Sequence, residues 1–125
     1  MDRLLRYALV ADDDPLIRMD VEAILADAGF RVLTAAGAQE ALDILMERNP
    51  AIELLFTDVQ MPPGTMTGYD LAWRCARDRP DIAILIASGA LPPEPDSLPR
   101  RALFIEKPFS PGQLLQRLSQ LLPDR

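Results

Sequence analysis

Apolar and polar positions fall into blocks whose period switches repeatedly along the chain. Residues 7–11 (YALVA), 31–35 (RVLTA), 52–57 (IELLFT), 82–87 (IAILIA) and 102–105 (ALFI) are short apolar runs of the kind that buried parallel strands show. Between them the period is helical. Ile17, Val21, Ile24, Leu25 and Ala28 share one face of a helix that Asp14 caps and Pro15 opens, with Gly29 at its end. Ala38, Ala41, Leu42 and Leu45 predict a second helix over residues 38–48, stopped by Asn49 and Pro50. Leu71, Ala72, Cys75 and Ala76 face inward on a third, over 69–79, which Pro80 ends. Ser110 and Pro111 open a last helix, with Gln113 placed for a capping box and Leu114, Leu115, Leu118, Leu121 and Leu122 as its stripe.

One segment breaks the rhythm. Residues 89–101 (GALPPEPDSLPRR) carry four prolines and no period, so a loop or at most a single turn is expected across 90–101. The order β-α-β-α-β-α-β-(proline-rich)-β-α predicts an α/β fold, a doubly wound parallel sheet covered on both faces. The run 82–87 is the most hydrophobic strand and is expected at its centre.

Composition narrows what such a fold can do. The 125 residues suit a single domain, and the net charge of −6 argues against a surface for nucleic acid or anionic membrane. There is no histidine, which excludes a Ser/His/Asp or Cys/His triad and any His-ligated metal. Cys75 is the only cysteine and reads as a small buried apolar residue; with no signal-peptide or membrane-span pattern, a reducing, cytoplasmic location is expected. Of the thirteen cations, Lys107 is the only lysine.

In doubly wound folds the chemistry lies beyond the carboxyl ends of the strands. There the sequence places Asp12, Asp13 and Asp14 after strand 1, Asp58 after strand 3, Ser88 after strand 4 and Lys107 after strand 5. Asp14 is accounted for as the helix cap. Crowded carboxylates need a cation, and one lysine does not balance three of them. An all-oxygen site suits Mg²⁺. Mg²⁺ on Asp12, Asp13 and Asp58, opposite Lys107 and Ser88, leaves a socket for a phosphoryl group with a carboxylate as nucleophile.

Four segments, LVADDDP (9–15), FTDVQMP (56–62), ILIASGA (84–90) and FIEKPF (104–109), each at the end of a predicted strand, resemble the receiver domain of two-component response regulators. The resemblance spans essentially the whole chain. It implies a flavodoxin-like five-stranded sheet of order 2-1-3-4-5; the chain departs from the family where the proline-rich 89–101 leaves the helix between strands 4 and 5 shortened or lost. It makes Asp58 the phospho-acceptor, supplied by a histidine kinase or histidine phosphotransfer protein. Asp12 and Asp13 would hold Mg²⁺ with a backbone carbonyl of Val59 or Gln60, the family pattern pointing to Gln60. Ser88 would bind the phosphoryl group, Lys107 would pair with it, and the Lys107–Pro108 bond would be cis. Phe104 matches an aromatic switch position, although packing near the end of an edge strand explains it equally. The loop 62–68 (PPGTMTG) is longer than the usual receiver spacing, so Met61, Met66 and its prolines could alter docking or shield the phosphoryl group.

The expectation is therefore residues 1–125 as one receiver domain without an output domain: a phosphorelay intermediate, a phosphate sink, a switch that docks on another protein or the receiver portion of a larger chain, and not a turnover enzyme. Two alternatives use the same residues: an Mg²⁺-dependent phosphatase or phosphotransferase, and a non-phosphorylated pseudo-receiver that only binds partners.

Overall fold

The computed structural model describes residues 6–47, 51–61, 66–90 and 92–122. Five strands, β1 (Tyr7–Ala11), β2 (Arg31–Ala35), β3 (Ile52–Asp58), β4 (Ala83–Ser88) and β5 (Ala102–Glu106), form one sheet. All pairings are parallel and the order is β2-β1-β3-β4-β5. The helices are α1 (Pro15–Asp27), α2 (Ala38–Met46), α3 (Gly68–Asp78) and α4 (Pro111–Leu121).

Because side chains alternate across a strand, the sheet sorts its apolar residues into two cores. Leu9, Leu55, Ile84 and Ile86 pack with Leu42 and Leu45 of α2 and Leu71 and Cys75 of α3. Val10, Phe56 and Leu85 pack on the other face with Val21 and Leu25 of α1 and Leu114 and Leu118 of α4. Phe56 and Phe109 meet edge to face, their centroids 5.9 Å apart.

Local signals set the helix starts. Asp14 accepts from the Leu16 amide and Pro15 opens α1. Ser110 and Gln113 close the expected capping box on α4. A second box, Thr67 with Asp70, starts α3 and was not anticipated from the sequence.

Several expectations need correction. The central strand is β3; β4 lies between β3 and β5, and its complete burial reflects cover on both faces. Leu115 leaves the apolar stripe of α4 and is 44% exposed, since one residue beyond Leu114 is about 100° round the helix. Helix α2 ends at Met46, with Glu47 as its cap. The expected stop at Asn49 and Pro50, and the prolines of the 62–68 loop, lie outside the described residues. Of that loop's flanks, Met61 is buried and Met66 packs against the α3-side core.

The proline-rich crossover forms only a single 3₁₀ turn, Pro95–Ser97, as its composition predicts. Trp73 of α3 ties it down by donating its indole N–H to the Ser97 carbonyl at 3.0 Å, and Leu98 packs against the core.

Cys75 is fully buried on α3, as expected, and burial pushes its thiol up to about 12. A raised folded-state pKa means that the stability it gives is lost as pH rises from 9.0 towards 12. A thiol reagent at neutral pH is therefore expected to leave the native protein unmodified and to label it after denaturation. Fast labelling of the native protein would show that α3 is not packed as described.

Candidate functional site

Strands β1, β3, β4 and β5 deliver their last residues to one edge of the sheet, and the predicted residues gather there. Carboxylate oxygens of Asp12, Asp13 and Asp58 lie within 4.8 Å of one another. Lys107 Nζ stands 3.2 Å from Asp12 Oδ2 and 3.1 Å from Asp58 Oδ1. Asp13 is exposed, whereas Asp12 and Asp58 are buried.

Asp12 is held at every polar atom. Its N–H donates to Ala35 O, its carbonyl accepts from Arg18 Nη1 at 2.8 Å, and its carboxylate accepts from the Asp14 amide and Lys107. Burial nevertheless keeps its carboxyl above the usual range, with the Asp14 amide and Lys107 offsetting only part. Burial alone would lower the Lys107 ammonium; the Asp58 and Asp12 carboxylates outweigh it and hold it above its ordinary value. The two directions agree: one cation is shared by an excess of negative charge.

Asp58 ends β3 opposite Ala87 of β4. Its Oδ1 accepts from the Val59 amide at 2.9 Å, and its backbone carbonyl accepts from Thr57 Oγ1. Gly68, the first residue of α3, donates its N–H to Val59 O at 2.7 Å and lies directly against the Asp58 backbone. The Val59 carbonyl is thus already engaged, while Gln60 is exposed.

Ser88 closes the same edge. It is buried, its Oγ accepts from the Ala90 amide at 3.0 Å, and its carbonyl accepts from the Lys107 N–H. The Lys107–Pro108 bond is cis. Phe104 stands apart from the carboxylates, half-buried on β5 against the α3-side core. It lines a groove of about 770 Å³ with Trp73, Leu98 and Arg100, beside the proline-rich crossover.

The carboxylates fit a hard divalent cation: three oxygen donors converge, one of them exposed, with no nitrogen or sulfur donor among them. Sequence reasoning missed Arg18 and Gly68, because both bond to backbone carbonyls. Arg18 reads as a polar position on α1 and Gly68 as a loop residue; neither pattern reveals what its neighbour across the fold is.

A buried carboxylate at the end of a central strand, a lysine across from it and further carboxylates beside it define an acidic edge on a flavodoxin-like sheet. Residues 8–119 match the family described as the response regulator receiver domain. The chain belongs to that family, a signalling module of two-component response regulators.

The phosphate regulon transcriptional regulatory protein PhoB of Pseudomonas aeruginosa is 34% identical over 119 residues, covering 91% of this chain and 50% of that protein. The sensor kinase CckA of Brucella abortus is 32% identical over 117 residues, covering 91% of this chain and 12% of that protein. The chain thus spans half or less of the length of these two curated relatives. Among solved structures, a response regulator receiver protein from Sinorhizobium medicae superposes with a TM-score of 0.85 at 30% identity, covering 95% of each chain. None of the helices among the described residues is long and apolar enough to cross a membrane.

Proposed function

We propose that the chain is a phospho-accepting receiver whose acceptor is Asp58 and whose phosphoryl donor is a phosphohistidine on a partner protein. The observation that carries this reading is the shared lysine: Lys107 lies within 3.2 Å of both Asp12 and Asp58, on the edge where all the acidic groups converge. A carboxylate oxygen of Asp58 attacks phosphorus and forms a P–O bond as the donor's P–N bond breaks. The electron pair of that bond leaves with the imidazole, which is neutral when the ring keeps one proton. The product is an acyl phosphate on Asp58.

Asp12, Asp13, Asp58 and the Gln60 carbonyl would hold Mg²⁺, and the exposure of Gln60 beside the engaged Val59 carbonyl supports that assignment. When bound, the ion would supply the positive charge that one lysine alone does not give to three carboxylates. Lys107 pairs with a phosphoryl oxygen, and the Ser88 hydroxyl turns from the Ala90 amide to donate to another. Phe104 fits a switch position, since the groove beside it gives its ring room to turn.

The donor has a surface to seat on. A groove of about 730 Å³ runs beside Lys107, lined by Ile17, Val21, Ile24, Pro108 and Phe109. Leu16 and Met19, 70% and 63% exposed, extend the apolar character of α1. On this reading residues 1–125 act as one receiver unit whose output is a change in protein–protein contacts.

Acetyl phosphate with Mg²⁺ is expected to give a labile adduct of one phosphoryl group per chain by intact mass, and chelation of the metal to suppress it. Steady release of phosphate from a free phosphate ester would instead favour the phosphatase alternative, and no adduct under any condition would favour the pseudo-receiver.

A further inference from the structure

We infer that Arg18 is a positioning residue for the cation site, locking the peptide between Asp12 and Asp13 so that the Asp13 carboxylate faces its two partners. The inference rests on the Mg²⁺ reading above and deepens it. Three of the four ties on Asp12 act on its N–H or its carboxylate; only Arg18, reaching back from α1, holds the carbonyl, at 2.8 Å. A peptide group is planar, so fixing the Asp12 oxygen also fixes the amide and Cα of Asp13.

That matters because the two ligands are placed so differently. Asp12 is fully buried, and its carboxylate is anchored by Asp14 and Lys107. Asp13 is exposed, yet its carboxylate oxygen stays within 4.8 Å of those of Asp12 and Asp58. An exposed aspartate on a turn gains its direction from the backbone, and this backbone is held by a guanidinium six residues further on. Arg18 is itself anchored, because its own amide donates to Asp14 O in the first turn of α1. The helix is thereby coupled to the turn that carries the ligands. Without the arginine, the Asp12 carbonyl loses its guanidinium donor, the Asp12–Asp13 peptide is held less tightly, and the cation meets a ligand that must be ordered further on binding.

Outer-shell partners that orient ligands commonly contribute ten- to a hundredfold to metal affinity. For Arg18→Ala the expected loss is at the lower end, about tenfold in Mg²⁺ affinity, since only one of three carboxylates is released. Calorimetric titration of Mg²⁺ into the unphosphorylated full chain reads this directly, without reference to phosphotransfer. Arg18→Lys, which keeps a donor and the charge on a shorter reach, is expected to recover part of the loss. In acetyl phosphate assays the variant should need more Mg²⁺ for half-maximal rate and reach the wild-type rate at saturation.

Weakened binding with partial rescue by lysine and an intact saturated rate supports the inference. Equal Mg²⁺ affinity in wild type and Arg18→Ala overturns it. So does a rate that stays depressed at saturating Mg²⁺, which marks a general structural role. Wild type that binds no Mg²⁺ overturns the underlying metal reading instead, so the two failures are distinct. Should Arg18→Ala not fold, Arg18→Gln, a shorter neutral donor, is measured in its place against the same criteria.

Discussion

Lys107→Ala is expected to destabilise the metal-free protein at neutral pH by about 3 kcal/mol, the scale on which removing one partner strands a buried charge. Asp12 is fully buried and Lys107 is the only described cation at its carboxylate; the same ammonium serves Asp58. Its loss leaves two carboxylates facing each other across a desolvated edge. The pH dependence follows from the raised values of both groups. Burial raises the Asp12 carboxyl above its ordinary value, so its contribution is full below 3.8 and lost as pH rises through its higher folded value. Lys107, also raised, contributes fully below 10.5 and loses its contribution as pH rises through its folded value. The deficit of the variant should therefore be widest between those two windows and shrink on acidification. Mg²⁺ should narrow it, because a divalent cation replaces the missing charge. Urea melts with chelator and with Mg²⁺ check both statements; equal stability of the two proteins in chelator would show that the shared lysine carries no such load. Lys107→Arg is not expected to restore phosphotransfer, because a planar fork does not fit where a compact ammonium meets two carboxylates.

Gly68→Ala carries the second large effect. A Cβ at this position would overlap the carbonyl oxygen of Asp58 and come within 2.8 Å of its carbon and 2.9 Å of Val59 Cα. All three are backbone atoms at the end of β3, so no side chain can rotate out of the way. Either α3 backs off, breaking the Gly68 N–H to Val59 O bond, or the strand end moves. Overpacking of this kind costs about 3 kcal/mol, at the upper end of the usual range, because rigid elements meet on both sides. The remaining folded protein should also accept phosphate more slowly, since the displaced atoms belong to Asp58 itself. A variant as stable as wild type in urea, with an unchanged rate of adduct formation, would contradict the close approach of α3 to β3.

Much of this was legible in the sequence. The strands end within a residue of where their apolar runs end, because a parallel sheet covered on both faces favours apolar residues along its interior strands. Asp14 and Ser110 marked helix starts by local hydrogen bonding, which depends on neighbours in sequence alone. The proline-rich crossover was read as non-helical for an equally local reason, the missing amides of Pro92, Pro93, Pro95 and Pro99. The rule that chemistry collects at strand ends brings Asp12, Asp13, Asp58, Ser88 and Lys107 together from the sequence alone.

What escaped the sequence was set by tertiary neighbours. Hydrophobicity did not identify the central strand, because β3 and β4 are both interior and only pairing order separates them. Leu115 follows Leu114 in an unbroken leucine pair, and only the position of β5 decides which one faces inward. Arg18 and Gly68 serve the site through the carbonyls of Asp12 and Val59, contacts that leave no mark in residue type. Trp73 reads as packing surface, and its bond to Ser97 spans 24 residues of chain.

The central claim is that Asp58 is the phospho-acceptor, and the most direct measurement is adduct formation by wild type and Asp58→Asn side by side, with acetyl phosphate and Mg²⁺. Asparagine is nearly isosteric and its side-chain carbonyl can still accept from the Val59 amide, so the fold is preserved while the nucleophilic carboxylate is lost. The prediction is one labile phosphoryl group on wild type and none above background on the variant. A variant that still acquires the group at the wild-type rate, or a wild type that never does, would contradict the claim.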